Sequence, residues 1–463
     1  MVRPLNSVLG RVLLSVPAVW AAIDVDINNE DSVKKAAALV AEDLMSYYEG
    51  DKPGEVPGIL PGPPPFGGGD YYWWSGGLLW NTMIDYGNVT GDTKYVDTVV
   101  KGLGWQLGEH KDFLPSNWTL QASNGDQAIW AGAALTAAMS GLPVPSTAGV
   151  SDWLAPARMV GIDEFPLRLI NNGTCQGVLR WQLFQLNNGY EYVDTISNAA
   201  YFALAAGLAY ETKNDTLAKQ AASSYDSMTK MGLIGDDFSV FDGTKVTDDC
   251  KGVNKLQFSL NPGLLLTGAA YMLQQTNNDE TWKKRVDGLL DHALKTFFLD
   301  GVAFEVACES AKSYTCITDM KQYKGMLHRG LGKTMQLAPH TKDTILPVLK
   351  TSAVAAVKTC TGGPNQRMCS SVWAAQGESG SEKATKDGAA SQMDVLNALN
   401  SVLMASTSKP ATGGSGTGDG GKGQGSSDAA GGNKDKPASM GASAAVSTYV
   451  LLSGLFFSAL ALF

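Results

Sequence analysis

The sequence predicts an all-α fold, an (α/α)6 barrel built from six helical hairpins. Three patterns in the 463 residues indicate this fold. They are an internal repeat, an alternation of fully apolar helices with amphipathic ones, and an inequality between the two kinds of connection that join them. A single barrel domain is expected over residues 22–405, with an open solenoid of hairpins as the alternative arrangement.

The repeat appears as short turns that each carry an aspartate. The six aspartates lie 60 to 64 residues apart, at Asp31, Asp92, Asp152, Asp215, Asp279 and Asp343. Each repeat is therefore long enough for two helices. An aspartate at the start of the second helix of each pair is suited to be its N-cap, because its side chain can accept a hydrogen bond from the exposed N–H groups there.

The helices on the two sides of these turns differ in character. Those after the aspartate are amphipathic, as Leu217, Ala221 and Tyr225 show by their spacing. Those before it are apolar nearly all round, as in residues 199–208 and 264–271. A helix without a polar face belongs inside a protein, so the pattern predicts six inner and six outer helices.

The connections between the helices locate a candidate binding cleft. Turns from an inner to an outer helix are short, whereas the return segments are long and rich in aromatic and amide side chains, as in residues 66–74, 117–124, 179–192 and 255–258. In a barrel these return segments meet at one end. Aromatic rings beside amides and carboxylates are suited to hold sugars, so the sequence predicts a carbohydrate cleft.

Both ends of the chain carry targeting patterns. Arg3 and Arg11, an apolar run and small residues up to Ala22 are typical of a secretory signal peptide, placed at residues 1–21. A Ser/Gly-rich stalk is expected over residues 406–432. Residues 433–463 are typical of a glycosylphosphatidylinositol (GPI) attachment signal that is removed, with a C-terminal membrane helix as the alternative. Either interpretation places the protein at the outer face of the plasma membrane or in the cell wall.

Secretion agrees with two further patterns. Four N-glycosylation sequons begin at Asn88, Asn117, Asn172 and Asn214. Six cysteines suggest three disulfides, and although fifteen pairings are possible, short separations favour Cys308 with Cys316 and Cys360 with Cys369, leaving Cys175 with Cys250.

Composition argues against two other classes of function. A zinc site is disfavoured because the chain has no Cys-x-x-Cys spacing and only four histidines, so no metal and no cofactor is expected. The formal charge of −9 disfavours nucleic acid as a partner, because neutralising phosphates requires a basic surface.

Several motifs together resemble glycoside hydrolase family 76. They stand at residues 71–74 (YYWW), 124–127 (NGDQ), 179–182 (LRWQ), 187–190 (NNGY), 268–272 (GAAYM) and 305–309 (EVACE). With both terminal signals, the chain is similar to the fungal branch of the family, which consists of GPI-anchored wall proteins. The resemblance implies retaining endo-α-1,6-mannosidase activity on mannan. For the fungal branch it implies transglycosidase action, with a GPI-glycan donor and a β-glucan acceptor, in cell-wall biogenesis.

The resemblance also assigns the catalytic residues, and one is missing. Retaining glycosidases use two carboxylates about 5 to 5.5 Å apart. The family takes both from an adjacent aspartate pair at the start of an inner helix; Asp126 matches the acid/base, but Gly125 stands where the nucleophile is expected.

Three hypotheses follow from that gap. Another rim carboxylate could substitute, with Asp70, Glu191, Asp237 and Glu305 as candidates. Alternatively Asp126 acts alone with water or an acceptor hydroxyl, or the protein is a catalytically inactive mannan-binding wall protein.

The predicted sugar contacts complete the site. Trp73, Trp74, Trp181 and Tyr190 are expected to stack on sugar rings, and Asn124, Gln127, Arg180, Asn188 and Asp237 to bind hydroxyl groups. Because Asp126 lies in the first turn of a helix, the helix dipole is expected to lower its pKa unless burial opposes it.

Overall fold

The computed structural model describes residues 23–64, 68–309, 314–374 and 388–407. The predicted signal peptide, most of the stalk and the attachment signal lie outside these residues and stay predictions. No helix in the described part of the chain is long and apolar enough to cross a membrane.

Helices make up most of this structure, and they alternate between an inner and an outer position. The inner helices are α2 (Trp74–Thr90), α4 (Asn124–Met139), α7 (Thr195–Thr212), α9 (Leu260–Gln275), α11 (Tyr323–Leu337) and α13 (Gly388–Leu403). The outer helices are α1 (Glu30–Met45), α3 (Val96–Trp105), α5 (Leu154–Arg158) continued by a π-helical turn (Met159–Glu164) into α6 (Phe165–Arg168), α8 (Asp215–Lys230), α10 (Glu280–Phe297) and α12 (Lys342–Lys358).

The six inner helices form a closed ring. Each contacts the next inner helix along the chain, and α13 returns to contact α2. This closure confirms the predicted (α/α)6 barrel over the open solenoid. Small residues allow the close approach: a Cβ at Gly330 on α11 would stand 2.3 Å from the carbonyl oxygen of Gly263 on α9, so no larger side chain fits between these backbones.

Two antiparallel strand pairs and four short 3₁₀ turns complete the described part of the chain. Strand β1 (Tyr192–Asp194) pairs with β2 (Gly243–Lys245), with Val193 opposite Thr244, and β3 (Phe298–Leu299) pairs with β4 (Val302–Ala303). The β1–β2 pair matters for function, because β1 runs directly into α7 and so fixes the backbone where that inner helix begins.

The turns between inner and outer helices lie where the aspartate repeat predicts, but the capping residue differs among them. Asp279 is the N-cap of α10, whereas Asn29 caps α1 and Asn214 caps α8. In those two helices the repeated aspartate, Asp31 or Asp215, falls within the first turn. There the negative carboxylate interacts favourably with the positive end of the helix dipole and stabilises the helix.

Three disulfides are formed in the pairing favoured by sequence separation: Cys175–Cys250, Cys308–Cys316 and Cys360–Cys369. The first ties the segment before α7 to the segment after β2, across 75 residues of chain. A crosslink that closes a loop of this length restricts the unfolded chain and stabilises the connections at this end of the barrel.

A buried ion pair crosses the barrel interior below the helix starts. Arg329 Nε and Lys333 Nζ of α11 donate to Asp85 of α2 at 2.6 and 2.7 Å. Burial opposes ionisation of Asp85, but the two cations outweigh it and hold the pKa of Asp85 below its usual range. Because α13 lies between α2 and α11 in the ring, this cluster joins two inner helices that are not direct neighbours.

Candidate active site

A cavity of about 570 Å³ opens at the end of the barrel where the inner helices begin. The starts of α2, α4, α7 and α11 contribute to its wall. Aromatic side chains line it together with four carboxylates: Tyr72, Trp73, Trp74, Trp181, Tyr192 and Tyr323, and Asp126, Asp194, Asp242 and Asp319. We call this cavity the cleft. None of the described residues that line it is Lys, Arg or His.

Asp126 is held at the start of α4 by a reciprocal pair of hydrogen bonds. Ser123 Oγ accepts from the Asp126 backbone N–H at 3.0 Å, and Asp126 Oδ2 accepts from the Ser123 backbone N–H at 2.8 Å. This capping box fixes the carboxyl group relative to the helix. The second oxygen of the carboxyl group makes no contact in this box.

Burial raises the pKa of Asp126 to about 7. The hydrogen bonds from Ser123 lower the pKa, while the negative charges of Asp319 and Asp194 raise it further. The expected lowering by the helix dipole was conditional on burial not opposing it, and here desolvation outweighs the favourable helix end. A carboxyl group that keeps its proton near neutral pH is suited to donate it to a leaving oxygen.

Asp194 lies on the neighbouring inner helix as the N-cap of α7. Its Oδ2 accepts from the Ser197 backbone N–H at 3.2 Å, while Oδ1 is buried and has no hydrogen-bond partner among the residues that the structure describes. Burial raises the pKa of Asp194 to about 7. Asp194 therefore stands in the same desolvated environment as Asp126.

The other two carboxylates are held by neighbouring side chains. Asp242 Oδ2 accepts from the Tyr192 hydroxyl at 2.5 Å and from Asn254 Nδ2 at 2.8 Å. Asp319 Oδ1 accepts from Trp74 Nε1 at 3.0 Å, and burial raises the pKa of Asp319 to about 6. Asp319 precedes α11, which lies across the ring from α4, whereas Asp194 lies on α7 beside α4.

The predicted stacking residues differ in how they are placed. Trp181 is 39% exposed and Trp74 lines the cleft with its indole N–H fixed by Asp319. Trp73 also lines the cleft, but it is 5% exposed, stacks on Trp130 and donates to Gln106. Tyr72, which was not predicted, is 48% exposed at the cleft. Trp181 and Tyr72 therefore offer the most accessible ring surface for a sugar.

Three of the predicted polar contacts and stacking residues line a second, adjoining cavity of about 370 Å³: Asn124, Arg180 and Tyr190. Arg180 stacks on Tyr190 with 4.5 Å between the guanidinium carbon and the ring centre, and it pairs with Glu191 at 2.8 Å. Gln182 lines both this cavity and the cleft. The structure does not bring Asn188 or Asp237 to either cavity; both are exposed.

Gln127 and Asn124 turn toward the outer helices rather than into the cleft. Gln127 Nε2 donates to the Asp112 carbonyl at 2.7 Å and to Glu164 at 2.8 Å. Arg168 donates to Gln127, to Asn124 Oδ1 and to Glu164. Glu164 lies in the π-helical turn before α6. This outer segment therefore holds the first turn of α4 by hydrogen bonds on the side away from the cleft.

The four rim carboxylates expected as substitutes for the nucleophile are not at the cleft. Asp70, Glu191 and Asp237 are exposed elsewhere, and Glu305 is buried with its oxygens accepting from Ser259. The carboxylates that do line the cleft, Asp194, Asp242 and Asp319, were missed. A usable signal was present: Asp194 and Asp319 come just before inner helices, as Ser123 does, and inner-helix starts face the cleft.

The predicted glycosylation sites lie outside the cleft. Asn88, Asn117, Asn172 and Asn214 are all exposed, which is required of glycosylation acceptors but does not test whether they are used. In the described part of the chain, no group of three or more His, Cys, Asp or Glu side chains is arranged to hold a metal ion.

An (α/α)6 barrel with an open aromatic cleft and several carboxylates at its helix starts defines a carbohydrate-active protein. Comparison with known proteins gives the family. Residues 32–414 match the model of glycosyl hydrolase family 76. The chain therefore belongs to family 76, the endo-α-1,6-mannosidase family of glycoside hydrolases.

Relatives place it within the fungal DCW1/DFG5 branch. Mannan endo-1,6-alpha-mannosidase DCW1 of Saccharomyces cerevisiae is 35% identical over 371 residues, covering 80% of each chain. A putative mannan endo-1,6-alpha-mannosidase of Schizosaccharomyces pombe is 36% identical over 403 residues, covering 86% of this chain and 87% of the relative.

Solved structures agree with the fold. The crystal structure of Dfg5 from Chaetomium thermophilum in complex with glucosamine matches with a TM-score of 0.80 and 41% identity, covering 85% of this chain and 95% of that one. An inactive variant of the Salegentibacter α-1,6-mannanase, in complex with α-1,6-mannotriose, matches with a TM-score of 0.61 at 12% identity, covering 81% of this chain and 99% of that one. The second match supports the barrel fold alone.

Proposed function

We propose that this protein is an active cell-surface enzyme that cleaves α-1,6-linked mannose in mannan or in GPI glycans, with Asp126 as the proton donor. The observation that carries the proposal is the placement of Asp126. Its carboxyl group is fixed by Ser123, has a pKa of about 7, and lies in an aromatic cleft beside three other carboxylates. Desolvated carboxyl groups cost folding free energy at neutral pH, so their grouping along one open aromatic cleft favours catalysis over binding alone.

The proposed chemistry assigns two tasks to the cleft. Asp126 donates its proton to the glycosidic oxygen as the bond to the anomeric carbon breaks. Trp181 and Tyr72 stack on sugar rings beside the reacting bond, since both present accessible ring surface.

After the glycosidic bond is cleaved, the mannosyl group is transferred in the cell wall to a β-glucan acceptor. The adjoining cavity, which shares Gln182 with the cleft, leaves room for an acceptor next to the donor site. The relatives named as mannan endo-1,6-alpha-mannosidases support the donor class, and the glucosamine complex of Chaetomium Dfg5 supports a GPI glycan, which contains this amino sugar.

Location follows from the terminal signals as a further part of the proposal. A cleaved signal peptide, a Ser/Gly-rich stalk and a GPI lipid would hold the barrel at the outer membrane leaflet, within reach of both wall polymers.

One alternative rests on a specific observation. Gly125 stands at the position of the family's nucleophile, which favours a mannan-binding wall protein that has lost turnover. The two functions are separated by incubating the full-length protein, purified in detergent, with α-1,6-mannan oligosaccharides, with and without a β-glucan acceptor. We expect shorter oligosaccharides or a glucan adduct from the native protein and neither from Asp126→Asn. Binding without any product would support the alternative.

A further inference from the structure

We propose that Asp194 is the carboxylate that attacks the anomeric carbon, in place of the side chain that Gly125 lacks. This inference rests on the proposed function, since it supplies the second carboxylate of that reaction.

The direction in which position 125 faces supports the assignment. A Cβ built on Gly125 would stand 3.1 Å from Ser197 Oγ and 3.4 Å from Ile196 Cγ2, both in the first turn of α7. A side chain at position 125 would therefore point at the start of α7. Asp194 is the N-cap of that same turn, with its Oδ2 at 3.2 Å from the Ser197 backbone nitrogen. The neighbouring helix thus delivers a carboxylate to the region that an aspartate at 125 would enter.

The unpartnered oxygen of Asp194 provides a second observation. Asp194 is 7% exposed and lines the cleft, yet its Oδ1 accepts no hydrogen bond from the residues described. Because Asp194 lines the open cleft, this oxygen is available to a bound ligand. The Ser197 hydroxyl lies near enough to lower the pKa of Asp194 but makes no hydrogen bond of ordinary geometry to Oδ1, so a lone pair of this oxygen remains available to attack.

Backbone hydrogen bonds hold Asp194 on both sides. Asp194 pairs with Gly243 in the β1–β2 ladder, and the Thr195 backbone N–H donates to the Asp242 carbonyl at 2.8 Å. A nucleophile needs this support, because its position relative to the sugar decides whether attack is in line.

The other cleft carboxylates are less suited to the task. Asp242 is held by Tyr192 and Asn254. Asp319 accepts from Trp74 and lies on the α11 side, whereas position 125 faces α7. Asp319 is therefore the competing candidate in the experiment.

The reaction balances with these two groups alone. In the first step an oxygen of ionised Asp194 bonds to the anomeric carbon, the glycosidic C–O bond breaks, and protonated Asp126 gives its proton to the leaving oxygen. In the second step water or an acceptor hydroxyl bonds to the anomeric carbon and gives its proton to Asp126, while the ester to Asp194 breaks. Burial raises the pKa of both groups to about 7, so near neutrality each is present in both protonation states and the form with Asp194 ionised and Asp126 protonated is accessible, as the first step requires.

Azide rescue tests the assignment on the full-length protein. The variants are Asp194→Ala, Asp126→Ala and, as the matched control, Asp319→Ala, each assayed on an α-mannoside with an activated leaving group. Azide fits the space of a deleted carboxylate. It yields β-mannosyl azide when it replaces the nucleophile, and α-mannosyl azide when it attacks the mannosyl-enzyme in place of a base-activated water.

We expect Asp194→Ala to lose activity by about 10³-fold or more and to recover with azide as the β-product, while Asp126→Ala gives the α-product. Asp194→Asn, which keeps an N-cap acceptor, is expected to be equally inactive with an unchanged melting temperature or a higher one, so misfolding is separated from lost chemistry.

Two results would overturn the inference while leaving the proposed function intact: an Asp194→Asn protein within tenfold of native activity, or β-azide formed by Asp319→Ala instead. A native protein that binds mannan oligosaccharides but never turns them over would overturn both.

Discussion

Replacing Asp194 by Asn should stabilise the protein at neutral and alkaline pH although it removes activity. Burial raises the pKa of this carboxyl from 3.8 to about 7. At about 1.4 kcal/mol per pKa unit, ionising it in the folded state costs about 4 kcal/mol. This value is an upper bound for the gain, because the Asn side chain keeps some desolvation cost of its own.

The gain must depend on pH in one direction. A carboxyl with a raised pKa binds its proton more tightly in the folded than in the unfolded protein. Its contribution to stability is therefore intact below the unfolded value of 3.8 and is lost as the pH rises through about 7. The asparagine side chain of the variant never ionises, so we expect no difference between the proteins at about pH 4 and the full difference at about pH 8.

Thermal unfolding followed by circular dichroism measures this difference. For a barrel of this size, 1 kcal/mol corresponds to about 1 °C in Tm, so the variant should melt up to about 5 °C higher at the alkaline pH. Asn keeps an acceptor for the Ser197 N–H, and Asp194→Ala, which loses the cap, should fall about 1 kcal/mol below Asp194→Asn at both pH values. An Asp194→Asn protein that gains nothing at the higher pH, or gains equally at both, would refute the reasoning.

Three further changes test the site. Trp181→Ala should weaken binding of α-1,6-mannan oligosaccharides about tenfold or more by calorimetry, because stacking area is lost, whereas Trp105→Ala, a 61% exposed tryptophan on outer helix α3, should not. Arg168→Lys should lower kcat with little change in KM, because a lysine cannot donate to Asn124 and Glu164 together as Arg168 does, and the first turn of α4 that carries Asp126 would be less firmly held. The exposed Arg158→Lys is the control. Gly125→Asp should not raise activity, because its side chain points at the start of α7, where Asp194 already supplies a carboxylate.

For each of these three variants, one result would contradict the prediction. Equal losses from the two tryptophan variants would remove the stacking role of Trp181. A change in KM alone for Arg168→Lys would indicate direct sugar contact rather than positioning. A Gly125→Asp protein that surpasses the native one would mean that the native chain lacks a working nucleophile.

The fold was predictable because its signals are periodic and local. The aspartate repeat and the apolar inner segments, such as residues 199–208, each report on one helix, and closure of the ring follows from burying six such helices together. The disulfide pairing was also accessible, since two of the three pairs, Cys308–Cys316 and Cys360–Cys369, lie within nine residues of each other.

The site was harder to predict because it depends on contacts between distant segments. Gln127 was predicted to be a cleft residue because it follows Asp126. Its side chain instead donates a hydrogen bond to Glu164, 37 residues along the chain, and so points away from the cleft. The pKa of Asp126 is raised because the carboxyl group is buried. Its place at the start of a helix can be predicted from the sequence, but its burial cannot. Asp194 lies 68 residues from Asp126 in sequence, and only the packing of α7 against α4 brings it to the same cleft.

The most direct test of an active enzyme with Asp126 as its acid is to follow the first product by proton NMR. Full-length protein is mixed with an α-1,6-mannan oligosaccharide, and the anomeric signals of the newly formed reducing end are recorded before mutarotation. We expect the α-anomer to appear first, as two-step displacement requires, and no product from Asp126→Asn. The β-anomer first, the same product from both proteins, or no product from the native chain would contradict a retaining enzyme that depends on Asp126.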